Sequence, residues 1–346
     1  MEIRALLPPT WKNLYYPPEK SAYVYFAGRD EFPFPASGNI QTRYAQTNPR
    51  LLPFVKAAYA ADASMLGYQG YGQAPMPEED FRNNLKNFTY QPLRTGLATD
   101  TEGYFARQDD FAIMVFRGTE KGDPKDSFTD LSLLLVPEPD YSTAAEEPQK
   151  ALRHLSFIES LFHASPCKVH HGFQFALNDV WNEVHQYLWD YRKAHPHSEI
   201  VFAGHSLGAA LATLAVSRFG GGNASLYTFG CPRTGNEVFC QRVVNHADRG
   251  VFRFVNGNDP VTHVPPEDLG YRHTSPPLRH IDYEGDIQEL ATAPVGDWTD
   301  LARVIQGLPR AGLFTDLDSR TAVYLVDHSP AQYCIRVWNY VAGRVA

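Results

Sequence analysis

The stretch Glu199-Ile200-Val201-Phe202-Ala203, followed by Gly204-His205-Ser206-Leu207-Gly208 and Ala209-Ala210-Leu211-Ala212-Thr213-Leu214-Ala215-Val216, decides the fold. Its opening residues form a short apolar run with β-branched side chains, which reads as a buried strand. From Leu207 the chain is rich in Ala and Leu, runs on to Phe219 and meets Gly220-Gly221-Gly222, the pattern of a helix with a glycine stop. Gly-x-Ser-x-Gly therefore lies between a strand and a helix. There the glycines permit a sharp turn and close strand–helix packing, and the turn leaves the Ser206 hydroxyl exposed at the carboxyl end of the strand. A glycine-rich turn with a helix-capping serine is the plainer alternative, and the flanking strand and helix weigh against it.

Outward from this point the elements alternate. Strands are predicted over 103–107 and 111–117, around the turn Gln108-Asp109-Asp110, and an apolar run covers 130–136. A long amphipathic helix over 172–194 carries Phe173, Phe175, Ala176, Val180, Val184, Tyr187 and Leu188. Strands over 224–229 and 251–256 flank a helix near 236–245, a later strand is expected over 278–283, and a final helix begins near His328. Upstream, 51–66 reads as a helix with Leu52, Val55, Ala58, Tyr59 and Asp62 at helical spacing. Strands alternating with helices predict an α/β protein with a mostly parallel central sheet and helices on both faces. The expected organisation is one domain over 51–346, with the proline- and aromatic-rich residues 1–50 as an extended arm packed on it.

The composition narrows the function classes. With 43% hydrophobic and 20% charged residues, the 346-residue chain can bury a large core. A net charge of −8 argues against nucleic acid as a partner. No apolar run reaches the ~18 residues of a transmembrane helix. Met1-Glu2-Ile3-Arg4-Ala5-Leu6-Leu7-Pro8-Pro9 has neither a basic start nor an apolar h-region, so the expectation is a cytoplasmic protein by default, with export after signal removal or by another route as the alternative. The four cysteines are widely spaced and read as ordinary buried thiols, with one incidental disulfide as the alternative, rather than as a disulfide scaffold or a zinc site. No His-x-x-x-His, Cys-x-x-Cys or phosphate loop occurs, so neither a metal nor another cofactor is expected.

A serine hydroxyl becomes a useful nucleophile only when a histidine takes its proton and a carboxylate orients that histidine. On a strand–turn–helix serine of this type the acid and then the histidine follow downstream, and the acid belongs just after a parallel strand. Asp259 fits, in the turn Asn256-Gly257-Asn258-Asp259-Pro260 after the strand Val251-Phe252-Arg253-Phe254-Val255. Asp248 precedes that strand, and Asp282, Glu284 and Asp286 fall in a less regular region. The downstream histidines are His263, His273, His280 and His328. His263 is too near Asp259 to reach the serine independently, and His273 lies in a loop that suits a structural or substrate-side role. Periodicity does not separate His280 from His328. An oxyanion hole needs two backbone N–H groups: Leu207 supplies one, and Thr119 in Phe116-Arg117-Gly118-Thr119 is a candidate for the second, although an ordinary strand-ending turn explains that stretch equally well.

Several blocks, in order, resemble the class 3 lipases of filamentous-fungus type. They are Phe116-Arg117-Gly118-Thr119, Val169-His170-His171-Gly172-Phe173, Gly204-His205-Ser206-Leu207-Gly208-Ala209-Ala210, Thr228-Phe229-Gly230-Cys231-Pro232-Arg233-Thr234-Gly235-Asn236, and Val255-Asn256-Gly257-Asn258-Asp259-Pro260-Val261 with Pro265-Pro266. Gly270-Tyr271 with His273, and Asp327-His328 before an aromatic, extend the likeness over roughly residues 85 to 340. The resemblance implies an α/β-hydrolase fold with Ser206 as nucleophile, Asp259 as orienting acid, His328 as base, and Thr119 and Leu207 as oxyanion donors. It gives His170 and His205 structural roles. It implies a serine ester hydrolase, first a lipase acting on acylglycerols or related acyl esters with transient contact at a lipid surface. A soluble carboxylesterase, an aryl-esterase or a phospholipase is the alternative. A non-catalytic binding module on the same fold is the reading from another class; such proteins usually lose the serine, acid or histidine, and here all three positions are filled.

Two segments depart from the family pattern. The stretch after Thr119, Glu120-Lys121-Gly122-Asp123-Pro124-Lys125-Asp126-Ser127, is polar and broken by Gly and Pro where a lid helix is usual, so a lipid-binding lid at 120–128 is in doubt. Residues 137–167 form a longer insertion in which Leu152, Leu155, Ile158 and Phe162 fall on one helical face. That face suits a surface helix packed on the body, or a mobile cap over Ser206.

Overall fold

The computed structural model describes residues 50–68, 88–93, 98–109, 111–118, 134–139, 166–274, 277–294 and 326–345. Their strands are β1 (Thr89–Pro92), β2 (Gly103–Arg107), β3 (Phe111–Phe116), β4 (Leu135–Pro137), β5 (Lys168–His170), β6 (Glu199–His205), β7 (Ala224–Phe229), β8 (Gly250–Asn256), β9 (Leu278–Ile281) and β10 (Ile287–Leu290). Their α-helices are α1 (Leu52–Leu66), α2 (His171–Ala194), α3 (Leu207–Phe219), α4 (Glu237–His246) and α5 (Pro330–Val345).

One sheet runs in the order β1-β2-β3-β6-β7-β8-β9-β10. Its centre, from β3 through β6, β7 and β8 to β9, is parallel, and antiparallel pairs close both edges. β4 and β5 form a separate two-stranded ribbon. The central strands read as unbroken apolar runs because both faces are covered. Every residue of β3, β6 and β7 is buried. On one face lie α1 and α5, joined by the Tyr59–Trp338 edge-to-face pair at 5.3 Å and the Phe54–Tyr340 pair at 4.9 Å. On the other lie α2, α3 and α4, with Phe202 and Trp189 both packed on Phe219. This α/β-hydrolase architecture is the one expected from the sequence.

Each helical layer also carries a buried ion pair. Lys56 of α1 meets Glu199 at the start of β6 at 2.5 Å, and Ser225 donates to the other Glu199 oxygen at 2.7 Å. Arg218 of α3 meets Glu138, just past β4, at 2.7 Å, with its guanidinium over the Trp181 ring. Both Arg218 and Glu138 are wholly inaccessible at their side chains. Removing one member of such a pair strands a buried charge and is strongly destabilising.

Element ends follow local chemistry. The His170 ring accepts from the Phe173 N–H and caps α2, and the Asn236 amide oxygen accepts from the Phe239 N–H and caps α4. α3 stops at Gly220, whose φ of 55° is left-handed. The strand expected over 278–283 is instead the hairpin β9–β10: the Asp282 carboxylate accepts from the Asp286 N–H at 2.8 Å and Gly285 turns the chain. The final helix starts two residues past His328, with Pro330 in its first position, where the missing N–H costs nothing. The arm expected over 1–50 lies outside the described residues except for Arg50. The lid and cap segments at 120–128 and 137–167 do so too, except for 137–139 and 166–167.

Candidate active site

Ser206 follows β6 directly and precedes α3. Its backbone is held at φ 58°, ψ −127°, a strained conformation for a residue with a side chain. Two close approaches over-determine it. A Cβ on Gly204 would overlap the Gly208 backbone, and a Cβ on Gly208 would overlap the Phe116 carbonyl oxygen at the end of β3. The Ser206 N–H donates to the Phe229 carbonyl of β7 at 3.0 Å, which ties the turn to the neighbouring strand. From residue 199 to residue 219 every position is buried except Ser206 and Leu207. As the first residue of α3, Leu207 has an N–H with no intrahelical carbonyl to bond.

The structure brings Ser206, His328 and Asp259 into one chain of hydrogen bonds. Ser206 Oγ lies 2.8 Å from His328 Nε2, and His328 Nδ1 lies 2.9 and 3.0 Å from the two Asp259 oxygens. Asp259, fully buried just beyond β8, is an acceptor for three groups: the His328 ring, the Val261 N–H at 2.9 Å, and the Tyr333 hydroxyl at 2.6 Å. Tyr333, on α5, in turn accepts from the Asn256 N–H at 3.0 Å. With its carboxylate supplied with donors, Asp259 can take the Nδ1–H of His328, which leaves Nε2 as the acceptor facing the serine. Burial and the Asp259 charge push the Tyr333 hydroxyl well above its ordinary pKa, so it remains a donor.

The loop carrying His328 is tethered from several strands. The Asn256 side chain donates to the Asp327 carbonyl at 2.9 Å. The Asp327 carboxylate accepts from the Asn258 N–H at 3.0 Å and the Tyr283 hydroxyl at 2.9 Å. Gly257 passes so close to Asp327 that a Cβ there would sit 2.8 Å from its carboxyl carbon. None of these partners carries a local signal of its role, and neither does Tyr333. The turn Asn256-Gly257-Asn258 marked the neighbourhood only as the place of the acid.

The remaining candidates sit elsewhere. His280 Nε2 is engaged with the Gly257 carbonyl at 2.9 Å and His273 Nε2 with the Thr262 carbonyl at 2.6 Å. Asp248 accepts from the Asn223 and Ala224 N–H groups at the start of β7, the opposite end of the sheet. His170 stacks on Phe173 at 4.1 Å, and burial lowers its pKa to about 4. Thr119 lies outside the described residues, while the Phe116–Gly118 end of β3 abuts Gly208. Among the described residues no cluster of His, Cys, Asp and Glu could hold a metal ion, and no helix is long and apolar enough to cross a membrane. The four cysteines are buried thiols; burial raises Cys231 to about 11 and Cys240 to about 12, so neither ionises readily.

Residues 113–269 match the family model described as Lipase (class 3). Over 112 residues the chain is 40% identical to secreted mono- and diacylglycerol lipase 1 of Fusarium solani, covering 32% of this chain and 33% of that protein. It is 38% identical to secreted mono- and diacylglycerol lipase LIP1 of Malassezia globosa, covering 31% and 37%. The matches thus span about a third of the length of these relatives. The solved structure of Rhizomucor miehei triacylglyceride lipase aligns with a TM-score of 0.54 at 20% identity, covering 83% of this chain and 97% of that one, and shows the same fold. Both curated relatives are named as secreted, which overturns the cytoplasmic default. That default rested on the lack of a basic start and an apolar h-region in residues 1–9.

Proposed function

We propose that this chain, whose residues 113–269 match the class 3 lipase family model, is an exported serine ester hydrolase that cleaves acylglycerols. Ser206 Oγ attacks the ester carbonyl while His328 Nε2 takes its proton, and Asp259 stabilises the imidazolium that forms. The oxyanion is held by the Leu207 N–H, with the Thr119 N–H as the second donor that the family resemblance implies. Collapse of the tetrahedral species expels the alcohol, which takes the proton back from His328 and leaves an acyl-serine. Water then enters, gives a proton to His328 and attacks the acyl carbon, and the carboxylic acid departs as Ser206 is restored.

The continuous Ser206–His328–Asp259 bonding at 2.8 and 2.9 Å, open at Ser206 and Leu207 alone along the 199–219 stretch, carries this reading. Acylglycerols are favoured as substrates because both curated relatives are named for mono- and diacylglycerols. The decisive experiment compares wild type with Ser206→Ala on emulsified mono-, di- and triacylglycerols and on a chain-length series of p-nitrophenyl esters. The wild type should release fatty acid from acylglycerols, and the variant should lose at least ~10⁴-fold in kcat with its Tm preserved. Near-normal turnover in the variant overturns the mechanism. Cleavage of only short p-nitrophenyl esters overturns the substrate class.

A further inference from the structure

Resting on that reading of Ser206 and His328, we propose that His205 is a positioning residue for the base: its ring, held by Tyr68 in one tautomer, fixes the backbone of His328. His205 ends β6 and is 1% exposed. Its Nε2 lies 2.6 Å from the His328 carbonyl oxygen. A carbonyl can only accept, so Nε2 carries the hydrogen. In a neutral imidazole the other nitrogen is then an acceptor, and the group facing Nδ1 at 2.8 Å is the Tyr68 hydroxyl, which can donate to it. Complete burial, with His328 alongside, lowers the pKa of His205 well below 6.5 and keeps the ring in this neutral form.

The arrangement ties together pieces of the site that are far apart in sequence. Tyr68 stands two residues beyond α1, and a Cβ on Gly118 would overlap its hydroxyl, so the end of β3 presses on the same group. The His205 ring lies 4.6 Å from the His328 ring and 5.7 Å from each of the Tyr68 and Tyr333 rings. The other tethers of this loop described above hold Asp327. Among the described residues, the His205 bond is the one made to the carbonyl of His328 itself. Because His205 is also the neighbour of Ser206, a single residue sets where nucleophile and base stand relative to each other. Their 2.8 Å contact has little slack, and a displacement of ~1 Å in such a pair can cost ~10²-fold in rate.

Two substitutions separate positioning from packing. His205→Gln places an amide N–H where Nε2 stands and keeps a donor for the His328 carbonyl. His205→Asn places its amide nearer Nδ1, keeps a partner for Tyr68 and leaves the carbonyl without a donor. Both remove the ring, so both should lower Tm alike. His205→Asn should lower kcat roughly 10- to 100-fold at unchanged KM, while His205→Gln stays within about threefold of wild type. Equal kcat in the two variants, or losses that simply follow Tm, overturn the proposal. Should neither variant fold, ¹⁵N NMR of the wild-type imidazoles decides: His205 protonated at Nε2 and bare at Nδ1 supports it, and the opposite tautomer overturns it. Ser206→Ala, assayed in parallel, keeps the two readings distinct. An active Ser206→Ala sinks the catalytic assignment, whereas an inactive Ser206→Ala with a fully active His205→Asn sinks only the role of His205.

Discussion

Ser206 and His328 face each other at 2.8 Å yet are held in place by different means. The elbow at 204–208 is built from backbone. A left-handed serine, a glycine on either side and three adjacent strands leave its conformation no freedom, and nearly all of that chemistry sits within five consecutive residues. The loop at 326–329 is built from side chains. Its bonds come from His205, Asn256, Tyr283 and Asp259, between 44 and 123 residues away in sequence. A serine placed by local geometry can be read from a short motif, and a histidine placed by distant donors cannot.

Substitutions can test that contrast. The largest effect is expected on the side-chain side: Asp259→Asn should lower kcat by about 10⁴-fold, because an amide turned to donate favours the wrong imidazole tautomer. Its Tm should hardly move, and a kcat within tenfold of wild type would remove Asp259 from the mechanism. Acid provides a second probe, of a histidine that serves neither region. His170 has its pKa lowered from an ordinary 6.5 to about 4 by burial. Between these values the unfolded chain binds a proton that the folded chain does not. Its contribution to stability is therefore complete above pH 6.5, declines as the pH falls, and has cost about 3 kcal/mol below pH 4. His205 and His273, also lowered by burial, act in the same direction. A His170→Gln variant should show a flatter dependence of Tm on pH, and an unchanged slope would mean that His170 is not neutral in the fold.

On the backbone side, Gly208→Ala should lower Tm and kcat together, since its Cβ must displace the end of β3. The overpacking is worth roughly 1–3 kcal/mol. Unchanged Tm would show that the elbow has room to spare and would break the contrast drawn above. The smallest effect belongs to Tyr333→Phe, which takes one of three donors from Asp259. It should cost about tenfold in kcat at constant KM, in line with ~1–3 kcal/mol for an unsatisfied buried acceptor. A loss in KM alone would place Tyr333 in substrate binding instead.

The same contrast explains what was legible in the sequence. The alternating elements, the elbow and α3 ending at Gly220 follow from runs of adjacent residues, and so does the location of Asp259 at the end of a parallel strand. His328 was not distinguishable from His280 by pattern; only the family blocks preferred it. In the structure His280 is spent on the Gly257 carbonyl, a bond between residues 23 apart that no periodicity reveals. Tyr333, Tyr68 and Asn256 carry no local mark, because each acts through one atom on a partner brought close by the fold. The hairpin β9–β10 is not legible because the strand pattern runs on through Asp282 and Tyr283, and only the bonds of Asp282 to Asp286 and Gly285 mark the turn. Thr119 and the lid and cap segments, apart from 137–139 and 166–167, lie outside the described residues.

α1 and α5 pack face to face, with Cys334 donating to Asp62 at 3.5 Å across 272 residues of chain. That pairing has a consequence for the order of folding. The elbow can form as soon as β3, β6 and β7 associate, but His328 and Tyr333 arrive only with α5, after a very long loop has been closed. Contacts of such high sequence separation are reached late. A partly folded chain would therefore hold Ser206 in place with no His328 beside it. On the proposed mechanism, hydrolysis should therefore be lost when α5 leaves α1, at or below the denaturant concentration at which the sheet unfolds.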